Sequence, residues 1–167
     1  NAPALIGEAR LKAGRGDLPG AVALLDSALE KSPRLHDAWQ IKGDLLSAQG
    51  DAAGAMMSYR KALEIKPDYL AAHAAIIRQL LAEGKIDKKQ AAAQLEALRF
   101  VWRGTDFEFD LLNQLGRLYV ESDQPRKGLT TLRQAATNFP KNPKAKLATE
   151  EMTEAFHALY LGNRADR

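Results

Sequence analysis

Between Asp37 and Leu46, Trp39, Gly43 and Leu46 fall on one face at helical spacing, with polar residues between them. Gly50 and Asp51 follow, where a glycine takes the left-handed conformation that closes one helix and an aspartate caps the next. A second apolar stripe, Ala55, Tyr59, Ala62 and Leu63, again has helical spacing, and Pro67 stops continuation after its last turn. The pattern predicts two antiparallel helices over about 36–69, with Gly43 letting the second approach the first closely.

The same pattern recurs along the chain. Gly16, Gly50 and Gly84 are each 34 residues apart, as are Pro33 and Pro67, Asp17 and Asp51, Ala21 and Ala55, Ala28 and Ala62, and Leu29 and Leu63. Because these columns cover both helices, the repeating unit is a whole helical hairpin. A copy over about 2–35 keeps Ala9, Gly16, Ala21, Leu25, Ala28 and Pro33, with Leu5 in the column of Trp39. Another begins near Leu70 and keeps Leu80 and Gly84, but its second helix, Asp87 to Leu98, comes about two residues late. A fourth, about 109–142, carries Leu112, Leu115, Gly116, Tyr119, Leu132, Ala135 and Pro140, with Gly128 in place of the small alanine. Gly43 and Gly116 are 73 residues apart, five more than two repeats, and those residues are expected in the stretch that includes Phe100 to Phe109.

Trp39, Gly43, Leu46, Ala55, Tyr59, Ala62 and Pro67 closely resemble the signature of the tetratricopeptide repeat family. The resemblance implies an all-α fold, a right-handed α-solenoid of antiparallel helix-turn-helix repeats forming a single domain over 1–167. Its repeats are about 2–35, 36–69, 70–108 with an insertion, and 109–142. The segment of about 144–161 lacks the family's glycine and reads as a C-terminal capping helix, with Leu147, Met152, Phe156, Leu159 and Tyr160 as its apolar stripe. The half beginning at Phe100-Val101-Trp102-Arg103-Gly104 also looks like repeat proteins of proteobacteria, which points to a bacterial chain.

In that family the first helix of each repeat lines a concave groove. Carried over by position, the resemblance marks Arg10, then Gln40 and Asp44, then Ala74 and Arg78, then Asn113, Gln114 and Arg117 as groove residues. One column reads Arg10, Asp44, Arg78 and Arg117, and arginine suits bidentate contact with carboxylates. The alternative is that these are ordinary solvated helix faces, with Asp44 salt-paired to Arg10 or Arg78. The carboxylate-clamp subfamily, which grips chaperone tails, is disfavoured because Ile6 and Asp44 stand where its polar ligands belong, and Ala71 and Ala75 replace its basic residues.

The segment from Phe100 to Phe109 gathers four of the eleven aromatic residues. Trp102 beside Arg103 is a candidate contact, against the simpler reading that these rings fill the gap where the repeat register slips. His36, His73 and His157 form no ligand pair or triad, and His73 falls in the column of Trp39, where packing explains it. No phosphate-binding glycine loop is present.

Charge narrows the partners. The formal net charge is +3, with 24 basic residues spread among 21 acidic ones, which gives no concentrated nucleic-acid footprint; the basic runs Lys85–Lys89 and Lys141–Lys146 read as solubilising. No paired polar code recurs per repeat, as RNA-reading helical repeats require. Absence of cysteine removes disulfides and thiolate sites and leaves cytoplasm and periplasm equally open. No apolar run has membrane-spanning length, and Asn1-Ala2-Pro3 lacks a signal-peptide pattern.

The sequence therefore predicts a protein without catalytic residues, cofactor or metal, which binds a peptide or helix of another protein in its groove. It predicts no nucleic-acid binding and no membrane insertion. A structural spacer or self-associating segment of a larger exported or envelope-assembly protein is the second expectation.

Overall fold

The computed structural model of the chain describes residues 1–101 and 103–162. These form nine helices and no strand: α1 Ala2–Gly14, α2 Leu18–Lys31, α3 His36–Ala48, α4 Ala52–Ile65, α5 Leu70–Ala82, α6 Lys88–Arg99, α7 Asp106–Glu121, α8 Pro125–Asn138 and α9 Ala145–Tyr160. The chain divides into two compact units, Asn1–Gln79 and Leu80–Arg167, with the boundary inside α5.

In the first unit, Gly16 and Gly50 close α1 and α3 at φ values of 86° and 83°, a conformation that glycine adopts without a Cβ clash. The aspartates that follow cap the next helices: Asp17 accepts from the Gly20 amide and Asp51 from the Gly54 amide, each at 2.9 Å. The Gly20 bond and the nearby Lys12 ammonium hold the Asp17 carboxyl below its ordinary range. Three-residue turns thus fold α1 onto α2 and α3 onto α4 as predicted.

Small residues set the packing distance. Ala9, Ala21, Leu25 and Ala28 are completely enclosed between α1 and α2, and Ala38 and Leu45 of α3 extend this core. A Cβ on Gly43 would lie 2.6 Å from Cδ1 of Tyr59, so that glycine is the condition for seating a buried tyrosine on α4. Tyr59 and Ala55 in turn pack against Ala75 of α5.

The large residue near the start of each first helix ties down the preceding connection. Trp39 Nε1 donates to the Pro33 carbonyl at 2.9 Å, and one repeat later His73 Nε2 lies 2.8 Å from the Pro67 carbonyl. Because a carbonyl only accepts, His73 carries its proton on Nε2.

In the second unit, Asp87 and Gln90 form a reciprocal capping box at the start of α6. The five residues 83–87 precede α6, where three precede α2 and α4, which accounts for its late start. Ala91 stands 36 residues after Ala55 and Gly128 a further 37 after Ala91, so two of the five extra residues enter before α6 and three after Ala91. The latter lengthen the start of α7, which has 16 residues against 13 in α3.

At the α7–α8 crossing, a Cβ on Gly128 would lie 2.7 Å from both the Gly116 carbonyl oxygen and the Val120 amide nitrogen. The glycine that replaces the usual alanine therefore permits backbone-to-backbone approach. The turn between these helices has Asp123 at φ 60°, in the column that holds Gly50.

Helix α9 packs through Ala145 and Ala148 onto a core of Phe109, Leu112 and Ala135. The expected stripe of large residues is corrected here: Leu147, Phe156 and Tyr160 are exposed, and the covered positions are Ala145, Ala148, Met152, Ala155 and Leu159. Alternating three- and four-residue steps identify that face, and its small residues let α9 lie close.

Candidate functional site

Helices α1, α3 and α5 each present one residue of a single column, Arg10, Asp44 and Arg78, spaced by 34 residues. All three are exposed. Asp44 does not pair with either arginine. Its carboxylate accepts Gln40 Nε2 at 3.1 and 3.2 Å and the Tyr59 hydroxyl at 2.9 Å. Neither Arg10 nor Arg78 has an ion-pair partner within 4.0 Å among the described residues. The expected Asp44 salt pair is replaced by two donors from its own hairpin, because Tyr59 rises from α4 beside Gly43, one residue away from Asp44.

Gln40 is 6% exposed, and while its Nε2 holds Asp44, its Oε1 has no hydrogen-bond partner. A buried unpaired acceptor is costly, so this oxygen is a position where a donor from outside gains most.

Two tyrosines report the local field. Burial raises the Tyr59 hydroxyl pKa, the Asp44 charge and hydrogen bond add to that, and Arg78 opposes it. Tyr69 is raised by burial and then by Asp37 and Asp44, with Arg10 opposing. Each guanidinium thus acts on a phenol beside Asp44. Asp37 itself accepts the Ala38 amide at 3.0 Å. Ala74, one repeat after Gln40, is half-buried.

The second unit carries the rest of the predicted set on α7. Arg117 continues the column and forms a bidentate ion pair with Glu151 of α9, with Nε 2.8 Å from Oε2 and the second contact from Nη2 to Oε1. Lys144 pairs with Asp110 at 3.0 Å. Both pairs join residues 34 apart, which places α9 one repeat beyond α7. Asn113 is buried at 9% exposure and Gln114 half-buried, and Asn113 Oδ1 and Gln114 Oε1 lack partners. Glu151 was not foreseen, although continuing the 34-residue column past Pro143 leads to it.

The aromatic segment does not fill a gap as a whole. Phe109 is fully enclosed against Phe139, but Phe100 is 67% exposed beneath the Arg103 guanidinium, and Val101 and Phe107 are exposed too. Trp102 lies outside the described residues. His36 stacks edge-on against Tyr69 with centroids 4.6 Å apart, and His157 is exposed. No helix among the described residues is long and apolar enough to cross a membrane.

A family profile described as the tetratricopeptide repeat matches residues 6–69, the two hairpins that carry the clearest columns. Solved structures extend the likeness over nearly the whole chain. PilW, a widely conserved type IV pilus biogenesis factor, is 16% identical with a TM-score of 0.73, over 94% of this chain and 76% of its own. A thermophilic TPR protein of Thermus thermophilus is 17% identical with a TM-score of 0.70, over 96% and 84% of the two chains. At such identities the likeness shows the fold, an all-α helical repeat, and with the matched profile it makes this chain a member of the tetratricopeptide repeat family.

Proposed function

We propose that the chain is a non-enzymatic binding module whose face bearing Arg10, Gln40, Asp44 and Arg78 takes a segment of another protein. Tetratricopeptide repeats are generally protein-interaction modules, and their fold is typically a non-catalytic scaffold. The observation that carries the reading is the polarity left over on this face: two guanidiniums without ion-pair partners beside a buried amide oxygen without a donor. Ala74→Trp, which fills the face without changing its charge, tests it. The variant is expected to keep its helical signal and lose its partner, and undiminished binding would remove the face from consideration. Arg117, Asn113 and Gln114 belong to the same proposal as a second contact region on α7.

Self-association is the second reading. It is favoured by the apolar groove of about 460 Å³ between α8 and α9, where Leu129, Met152 and Phe156 face solvent. Sedimentation across a concentration range decides it, since a mass that stays monomeric and is unaltered by Phe156→Ser ends the idea.

A further inference from the structure

We infer that the segment taken by the Arg10–Arg78 face is extended and acidic, setting its carboxylates against the two arginines and one backbone amide against Gln40 Oε1. This rests on the proposed use of that face. The protein contains its own template for half of the contact. In the same column, at the same 34-residue separation, Arg117 meets the carboxylate of Glu151 through both guanidinium edges. Arg10 and Arg78 have the same chemistry and no such acceptor, because the one carboxylate of their column, Asp44, is already held by Gln40 and Tyr59. Asp37 is likewise occupied by a backbone amide of its own helix. Both carboxylates of the face have donors from within the unit, while both arginines lack acceptors. A carboxylate from outside fits that imbalance, and an ammonium does not.

The backbone form follows from Gln40. Its Oε1 requires a donor that reaches a side chain buried to 94%. The amide N–H groups of a helical ligand are consumed internally beyond its first turn, whereas alternate N–H groups of an extended segment are free to point at the face. The buried amide oxygen therefore selects an extended ligand over a helix.

The test is selection from a random peptide library displayed on phage against the intact chain, with affinities of selected peptides then measured by fluorescence anisotropy. Peptides rich in Asp and Glu are expected. They should lose about tenfold or more in affinity on Arg10→Ala/Arg78→Ala, weaken with added salt, and be indifferent to Arg117→Ala. Single backbone N-methylation should abolish binding at one position, and that sensitivity should vanish in Gln40→Ala. Selected peptides that Ala74→Trp blocks but that lack carboxylates, or that ignore the arginine substitutions, overturn this inference and leave the proposed face standing. Acidic peptides that bind as helices, with no N-methyl-sensitive position, overturn the extended form. Peptides indifferent to Ala74→Trp, or a library without binders, count against the face itself.

Discussion

Arg117 and Glu151, one repeat apart in sequence, join α7 to α9 by a two-pronged ion pair. The arginine side chain remains about half exposed and the glutamate a quarter, so solvent screens the pair, and a coupling of about 0.5–1 kcal/mol is expected rather than the value of a buried bridge. A double-mutant cycle with Arg117→Ala and Glu151→Ala, read by urea denaturation, should return that coupling and lose most of it in high salt. Additive single mutants at low salt would mean that α9 is held by its alanine face alone.

The fourth turn departs from the first three. Asp123 adopts φ 60°, where Gly16, Gly50 and Gly84 occupy the other turns at 86°, 83° and 69°. The left-handed region costs a non-glycine residue about 1–2 kcal/mol, part of which glycine returns through its freer unfolded chain. Asp123→Gly is expected to raise the unfolding free energy by roughly 0.5 kcal/mol. Asp123→Val, with a branched Cβ in that conformation, should lower it, and the reverse order in a denaturation series would show that the turn relaxes.

Glycines within the helices separate by what surrounds them. Gly128 faces backbone atoms of α7 that cannot turn aside, and Gly128→Ala should cost about 1–3 kcal/mol through forced separation of α7 and α8. Gly7, on the exposed side of α1, has nothing within 4 Å of where an added Cβ would sit, so Gly7→Ala should gain about 0.5–1 kcal/mol from helix propensity. Thermal melts of the two variants should move in opposite directions.

How far the sequence foretold all this depended on whether the information was periodic. The turns at Gly16 and Gly50, the capping aspartates and the close approach at Gly43 all lie in columns, and each stands where its column placed it. Asp123 escaped notice because a column read for glycine does not flag an aspartate that takes the same conformation. The α9 stripe was misread because large side chains drew attention from Ala145 and Ala148, whose smallness is what lets them be buried. The exposure of Phe100 has no periodic signature, since it lies in the connection before α7. At the candidate site, the column of charges was legible. The capture of Asp44 by Tyr59 was not, because it depends on how far two helices approach each other.

Alkaline pH should destabilise the fold through its tyrosines. Burial raises the Tyr59, Tyr69 and Tyr119 hydroxyls above the ordinary value of 10.0; nearby carboxylates reinforce this, Glu96 accepting the Tyr119 hydroxyl at 2.5 Å. The folded state then holds phenolic protons more tightly than the unfolded state. The stabilisation is complete below about pH 10 and declines as pH rises from there toward the folded values. Urea midpoints from about pH 9 to 11.5 should fall, with a shallower decline in Tyr59→Phe. A decline unaffected by that substitution would assign it to other groups.

Asp44→Ala should move stability and binding in opposite directions. Its carboxylate is the acceptor for the buried Tyr59 hydroxyl and for Gln40 Nε2, so its loss leaves two donors of the hairpin unpaired and should cost about 1–2 kcal/mol of stability. The same change removes the negative charge between Arg10 and Arg78 and frees the Gln40 amide. An acidic extended segment should then bind more tightly, by about threefold to tenfold at low salt, with the gain shrinking as salt is added. Asp44→Asn separates the two effects, because its carbonyl oxygen can still accept the tyrosine while its charge is gone: stability should recover part of the loss and the tighter binding should persist. Weaker binding in both variants would mean that Asp44 contacts the ligand directly and that the segment presents a donor or a cation to it, which reverses the charge assigned to the partner.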